Sequence, residues 1–394
     1  MSPPHILIAG AGIGGLTAAL ALARRGVDVT IVEKRTGFGE LGAGLQITPN
    51  SGRVLEALGL KLPLMRVSVG SQGLTVRRWR SGAALARSHF DPKAAETPFR
   101  MLKRSDLHTV LLDAARSMPN IRLVVGRGLA EARQDEDGIT VTLEGRAGTQ
   151  GEDLRGCGLV GADGLWSRVR ELTGDRAPPT FTGFEAWRAL APGPARTEPT
   201  GVTLHLGAGH HAVHYAVAGG RETNLVVVRR AAEAREGWSR DGEASEMLAE
   251  TRDASAPLRN LVASASGWLA WSLFDRPPAA MAKGRIALLG DAAHPVLPFL
   301  AQGASLAIED AAVLARVLAE RLASDGAAGV PAAMTAYAAA RTDRVRRVQQ
   351  ASRANGRTYH LGWPLSVGRD LVLGRIGGEG LQKRYDWVYD WRDA

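Results

Sequence analysis

The stretch HILIAGAGIGGLTAALALARRGVDVTIVE, His5–Glu33, decides the fold class. His5 to Ala9 is a short apolar run of the kind a buried parallel strand needs. A glycine turn follows at Gly10, Gly12, Gly14 and Gly15. Ile13 to Arg25, rich in alanine and leucine, reads as a helix stopped by Gly26. Val27 to Val32 is a second strand ending at Glu33. Strand, turn, helix, strand and acid in this order make a βαβ unit. Gly10 permits the tight turn, Gly12 lets the backbone approach a pyrophosphate, and Gly15 lets helix pack closely on strand. The phosphates would then meet free N–H groups at the positive end of the helix. Glu33, 23 residues after Gly10, can accept hydrogen bonds from both hydroxyls of a ribose. Alone, this unit says dinucleotide and does not separate FAD from NAD.

Downstream, about Thr75 to Phe90 is strand and turn material, and Lys103 to Arg116 reads as a helix with Ser105 as its cap. Ile121 to Val125, Ile139 to Leu143 and Gly158 to Ala162 read as strands. Val202 to Leu206, Ala212 to Val217 and Asn224 to Val228 form a strand-rich block. Gly284 to Leu289 is an apolar strand running into Gly290-Asp291. A long helix is expected over Ser305 to Leu322, with more helix to about Arg357. No internal repeat or low-complexity linker is present. The pattern is a nucleotide-binding fold interrupted by a β-rich insert and closed by helices.

At 394 residues the chain has room for two or three domains of roughly 150 residues. An apolar fraction of 45% with 23% charged residues is that of a folded enzyme rather than a disordered chain. The net charge of +9 is concentrated: six arginines and a single acid, Asp343, fall between Arg341 and Arg357. No nucleic-acid motif accompanies that charge, so a solvated helix face is expected and nucleic-acid binding is not. The one cysteine, Cys157, excludes an internal disulfide and a structural zinc site and reads as a buried thiol. The sequence enters a strand at once, with no leader pattern and no apolar run of the ~20 residues that span a bilayer. A soluble, cytoplasmic protein without membrane contact or bound metal is expected.

Two later segments narrow the cofactor. Gly161-Ala162-Asp163-Gly164 follows a strand, and so does Gly290-Asp291-Ala292-Ala293-His294-Pro295, which leads through Pro298 to Gln302-Gly303-Ala304 and a helix. Asp291 is placed to accept a hydrogen bond from a ribityl hydroxyl. The turn Gln302–Ala304 offers N–H donors toward negative charge on a reduced flavin ring.

With these motifs the chain resembles the single-component aromatic-ring flavin monooxygenases of the 4-hydroxybenzoate hydroxylase fold. The nearest branch holds salicylate hydroxylase, 3-hydroxybenzoate 6-hydroxylase and 6-hydroxynicotinate 3-monooxygenase. The likeness covers nearly the whole chain and includes Gly42-Ala43-Gly44-Leu45-Gln46, Arg104 and the tail around Tyr385-Asp386-Trp387. It implies an α/β fold: a Rossmann-like FAD-binding domain with an inserted β-sheet substrate domain and C-terminal helices. The implied division assigns 1–72, 101–178 and 276–335 to FAD binding, 73–100 and 179–275 to substrate, and 336–394 to the helical region. It implies FAD contacts at Gly10, Gly12, Gly14, Gly15, Glu33, Lys34, Gly44, Arg104, Leu129, Asp163, Asp291, Pro298, Gly303 and Ala304. For Asp163 and Asp291 a helix-cap role is the competing reading.

The resemblance further implies that NADH or NADPH reduces the flavin, that O₂ adds to give a flavin hydroperoxide, and that its terminal OH goes to a small phenolic acid. The protein must then hold the ring, exclude water and help deprotonate the phenol, work that suits a histidine of near-neutral pKa. If His210 to Tyr215 is a strand, alternation puts His211 and Tyr215 on one face and His214 on the other. His211 is the expected base or phenol-orienting group, Tyr215 a hydrogen-bond donor, and Gln302 a contact to substrate or flavin. A surface histidine cluster is the competing reading. Arg188 beside Trp187 could clamp a carboxylate, His294 reads as a structural hydrogen-bonder, and Phe299 as an apolar wall. The aromatic tail Tyr385, Trp387, Tyr389, Trp391 could cover the site, form a homodimer contact or dock on its own body. Other flavin enzymes of this fold, an epoxidase or a reductase, and a flavin-binding protein without turnover stay open. A halogenase is disfavoured because Trp268 to Trp271 is WxxW, not WxWxIP.

Overall fold

Strand β1 (His5–Ala9) is the third strand in from one edge of a six-stranded sheet. The computed structural model describes residues 4–38, 44–90, 96–145, 151–193, 201–234 and 240–393. In chain order the elements that build the site are β1, α1 (Ile13–Ala23), β2 (Asp28–Glu33), β3 (Gly73–Arg78), β4 (Ala84–His89), α2 (Arg104–Arg116), β5 (Ile121–Val125), β6 (Gly158–Gly161), β7 (Thr180–Pro192), β8 (Val202–Leu206), β9 (His210–Val217), β10 (Glu222–Arg230), β11 (Ser266–Asp275), β12 (Ile286–Leu288), α3 (Gly303–Asp325), α4 (Val330–Tyr359) and α5 (Leu365–Lys383).

The first sheet runs β12-β6-β1-β2-β5, all parallel, with the short strand Ala282–Lys283 antiparallel at the β12 edge. Its central strands are apolar throughout because both faces are covered. Helix α1 is buried along nearly its whole length, between this sheet and α3. That explains its composition: alanine lets α1 approach its neighbours, and leucine fills what remains.

The second sheet has eight strands in the order Arg240–Asp241, β11, β7, β10, β9, β8, β3, β4. One face rests on the core built around Trp187, Leu225, Val227 and Trp268. The other turns toward the first sheet. Strands β7 and β11 are its longest members, and the sequence alone did not mark them. Alanine and tryptophan interrupt the β-branched pattern, yet these residues pack as a partner pair, with Trp187 and Trp268 edge to face at 6.5 Å. The bounds of helix α5, inside the helical region expected over 336–394, were likewise unmarked. Five glycines weaken its helical signal, and its φ/ψ break at Gly377.

Two local expectations are corrected. Helix α2 begins at Arg104 with Lys103 as its flanking residue, and Ser105 makes no capping bond because it sits inside the first turn. The arginine-rich stretch is a solvated face only in part: Arg346, Arg347 and Arg357 are exposed, but others are drawn into the body. Arg341 is 1% exposed between Glu309 and Asp310, Arg344 bonds Glu309, Arg353 bonds Asp275, and Arg347 stacks 3.7 Å over Trp387. These cations hold α4 against α3 and the C-terminal tail against the body. Cys157 is buried, its thiol donating to the His5 carbonyl. Among the described residues no helix is long and apolar enough to cross a membrane.

Candidate active site

The carboxyl ends of β1, β2, β6 and β12 open into a cavity of about 1060 Å³. Ligands of open parallel sheets bind at this end. Gly10 turns there with φ +102°, and a Cβ on it would overlap the Ala162 carbonyl. A Cβ on Gly15 would overlap the Gly10 carbonyl, whereas Gly12 has open space beside it. No side chain caps α1, so the donors of its first turn face the cavity. Glu33 accepts from Ala11 N and Arg35 N, both at 2.9 Å. Those bonds fix the turn and leave lone pairs on the same carboxylate facing the cavity.

A buried network presents the second acid. Asp310 accepts from Gly290 N at 3.0 Å, from His294 Nε2 at 2.6 Å and from Arg341 Nε at 2.7 Å. Arg170, 2% exposed, donates to the carbonyls of Ala292 and Ala293. Clamped from both sides, the turn projects Asp291 into the cavity, its side chain open to that space but enclosed by the cavity walls, and this enclosure raises its carboxyl above the ordinary value despite His294 and Arg104 nearby. Burial would also raise Asp310. The charges of His294 and Arg341, with the bonds it accepts, overcome that and bring it down to about 2.

The cavity brings together Gly10, Gly12, Gly14, Glu33, Lys34, Gly44, Arg104, Leu129, Asp163, Asp291, Pro298, Gly303, Ala304, His211 and Tyr215. Gly42 and Ala43 lie outside the described residues. Two expected site residues are not in its wall. Gly15 lies beneath the turn, as its packing role requires. Gln302 is fully buried, its amide donating to Thr48 Oγ1 and accepting from Asn50 Nδ2, both at 3.0 Å. At the start of α3 the polar cluster around Thr48 and Asn50 claims the Gln302 side chain and leaves the backbone of Gly303 and Ala304 toward the cavity. Asp163 touches the cavity, but its carboxylate caps the short helix Arg168–Leu172, accepting from Ser167 Oγ, Arg168 N and Val169 N. The helix-cap reading of Asp163 thus describes its carboxylate.

At the far end stands one face of the second sheet. Alternation along β9 turns His211, Val213 and Tyr215 to the cavity. His214 goes to the other side, where its Nε2 lies 3.1 Å from His205 Nε2. His211 is 3% exposed, not part of a surface cluster. Its Nδ1 lies 2.8 Å from His360 Nε2, and its ring meets Phe299 and Tyr359 at 5.5 Å each. Burial, reinforced by His360 and His210, pushes the His211 imidazole well below 6.5. The expected near-neutral value is therefore corrected: apolar walls keep the ring uncharged at neutral pH, poised to accept a proton but reluctant to keep it. Burial likewise raises the Tyr215 phenol, so it stands as a neutral donor. Arg188 lines the same region, stacked 4.0 Å over Trp271. Tyr359 at the end of α4 lines it and the adjacent His360 backs His211, while Asn355 of α4 and Tyr385 and Tyr389 of the tail complete the lining. Nothing in the sequence beyond a Tyr-His pair at a helix end signals the first two.

Burial is the main cause that holds His205 at about 3, His214 at about 4 and His360 at about 4. The sign follows. Above pH 6.5 neither folded nor unfolded chain binds these protons. As pH falls from 6.5 toward 4 the unfolded chain takes up protons that the native state refuses, and stability is lost. Each such proton steepens the slope by about 1.4 kcal/mol per pH unit. Urea midpoints should fall over that window, and a His205→Gln/His214→Gln double variant should show a shallower fall. A flat wild-type profile from pH 6.5 to 4 would sink this account.

The residues fit FAD on three structural grounds: the open space at Gly12, the uncapped α1, and Asp291 held toward the cavity by a buried network. The comparisons agree. A family model described as an FAD binding domain matches residues 4–352. The 3-amino-4-hydroxybenzoate 2-monooxygenase PtnB3 of Streptomyces platensis is 37% identical over 369 residues, 91% of this chain and 89% of that protein. The 3-hydroxybenzoate 6-hydroxylase of Klebsiella oxytoca is 32% identical over 98% of this chain and 96% of its own. A solved salicylate hydroxylase substrate complex superimposes with a TM-score of 0.82 at 22% identity, over 99% of this chain and 96% of that one, a likeness of fold.

Proposed function

The chain belongs to the FAD binding domain family and, with its relatives, to the FAD-dependent monooxygenases; we propose that it hydroxylates a phenolic aromatic acid of the salicylate or 3-hydroxybenzoate type, using NAD(P)H and O₂. One observation carries this reading: a single cavity joins the dinucleotide cradle at Gly10–Gly14 and Asp291 to His211 and Tyr215. The Gly12 turn and the α1 N-terminus would hold the pyrophosphate, Glu33 the ribose, Asp291 the ribityl chain, and the N–H groups of Gly303 and Ala304 the ring. The chemistry that FAD supplies when bound is hydride uptake from NAD(P)H and activation of O₂, one oxygen atom going to the substrate ring and the other to water.

The remaining steps fall to the chain. His211, uncharged in its apolar setting, accepts a hydrogen bond from the phenol at the nitrogen not bonded to His360, orienting the ring, and takes the proton as electron density leaves the ring and the phenol becomes strongly acidic. Tyr215 donates to the substrate. Phe299 and Tyr359 wall the ring and keep water away. Arg188 offers the carboxylate a planar cationic partner. The phenolic benzoates named for the two relatives support this class of substrate.

Consumption of NADH or NADPH by the purified protein should rise over its idle rate with a hydroxylated benzoate, and mass analysis should show one added oxygen, less CO₂ if the acid is of the salicylate type. If no phenolic acid raises the rate, the reading fails. His211→Ala should keep its flavin and lose coupled hydroxylation by about 10²- to 10⁴-fold. Product yield equal to wild type at every pH would remove His211 from the base role.

A further inference from the structure

The cavity face of the second sheet is divided. Its polar groups, Arg188, His211 and Tyr215, stand on β7 and β9. Beyond β9 the face changes character. Every residue that β8 and β3 give the cavity is aliphatic, and so are the two that α5 gives it, Leu373 and Leu381. The register makes the boundary sharp: Leu206 lies beside His211, Leu204 beside Val213, and Val76 beside Leu204 one strand further out. At strand spacing the aliphatic floor begins about 5 Å from His211 and reaches about 10 Å. Tyr359 touches His211 on one side and joins the Leu204, Leu206 and Val76 cluster on the other, so the two regions are continuous.

This arm has a tied roof. Arg78 Nε meets Asp370 Oδ2 at 2.7 Å, binding α5 to β3 at one end. At the other, Ser88 Oγ donates to the Gly378 carbonyl at 2.8 Å, and a Cβ on Gly378 would overlap the Arg87 carbonyl. The helix therefore lies against the sheet edge with Leu373 and Leu381 turned inward, while Leu365 and Leu371 face outward. A bare hydroxybenzoate satisfies Arg188, His211 and Tyr215 but leaves uncovered the cavity-facing surface of these aliphatic side chains, which otherwise pack on one another, and so gives up available binding free energy.

We propose that the substrate is a phenolic aromatic acid carrying an apolar substituent several carbons long, which lies in the arm between β8, β3 and α5 while its phenol meets His211. The inference rests on the hydroxylase reading above and extends it. The test uses the FAD-loaded enzyme with salicylate, 3-hydroxybenzoate and their alkyl derivatives bearing two, four or six carbons at each free ring position. Dissociation constants come from the flavin absorbance change, and kcat/KM from product mass. At the accepted position, binding should tighten about three- to fourfold per methylene over the first carbons. Leu373→Trp, or the smaller Leu373→Phe, should cut the ratio of long-chain to unsubstituted kcat/KM at least tenfold. If unsubstituted acids are hydroxylated and every alkyl series is flat or declining, the arm proposal is overturned and the hydroxylase reading stands. An unchanged ratio in both Leu373 variants would overturn the location. If no phenol of either kind binds or reacts, the hydroxylase reading falls and takes this one with it.

Discussion

Gly12→Ala is expected to fold and to purify short of flavin, whereas Gly15→Ala is expected to damage the fold itself. The two glycines sit three residues apart in one turn, and their surroundings separate their roles. A Cβ on Gly15 overlaps the Gly10 carbonyl and also presses Ala162. Backbone cannot rotate away as a side chain can, so α1 would have to lift from β1, and overpacking of this kind costs about 1–3 kcal/mol or more. Gly10→Ala adds a second penalty, because φ +102° is a conformation alanine resists. Gly12 differs on both counts. Its φ is −75°, which alanine adopts freely, and beyond its immediate chain neighbours no atom lies within 4 Å of the added methyl. The methyl would stand where a pyrophosphate must approach the backbone. A loss of the same 1–3 kcal/mol there falls on binding alone, roughly a 5- to 150-fold weaker FAD complex. The flavin-to-protein absorbance ratio reads the first effect, and melting without added FAD reads the second. A Gly12→Ala protein with a full complement of flavin would show that the turn is not the cofactor's seat.

The same contrast explains what the sequence could and could not announce. The first βαβ unit was legible because its signals are local: an apolar run, glycines at fixed offsets, an alanine-rich helix, an acid at a strand end. Strand alternation sufficed to turn His211 and Tyr215 to one side and His214 to the other. Gln302 was misread because its side chain answers to Thr48 and Asn50, some 250 residues away in the chain, and no pattern near Gln302 records them. The carboxylate of Asp163 serves a five-residue helix too short to show a period. Tyr359 reaches the cavity, and His360 reaches His211, only because α4 ends beside β9. The arginines of α4 read as a solvated face because their partners, Glu309, Asp310, Asp275 and Trp387, belong to other elements. Charge in a sequence says nothing of its neutraliser until the helices are packed.

Those arginines carry the second large prediction. Arg341 is 1% exposed and bonds two fully buried carboxylates, Glu309 at 2.8 Å and Asp310 at 2.7 Å. Arg341→Met keeps much of the side chain's bulk and removes the charge. Breaking a buried pair from one side leaves the other charge uncompensated, at a cost of about 3–5 kcal/mol. Here two acids lose a partner, although Glu309 keeps Arg344 and Asp310 keeps His294 and Gly290 N. Asp310 should suffer more, since Arg341 is one of two charges that hold its carboxyl down at about 2. A carboxyl lowered in the native state stabilises the fold fully above its ordinary value of 3.8 and loses that contribution as pH falls toward 2. Without Arg341 the native value rises, part of the contribution is lost at neutral pH, and acid unfolding begins at higher pH. The damage should also travel outward. Asp310 pins Gly290 and His294, and those residues present Asp291 to the cavity, so the variant should bind FAD more weakly than its stability alone explains. Urea denaturation at pH 7 and pH 4 measures the first effect, and FAD titration well below the melting temperature measures the second. Full flavin affinity in a clearly destabilised Arg341→Met protein would show that the network supports the fold without positioning Asp291.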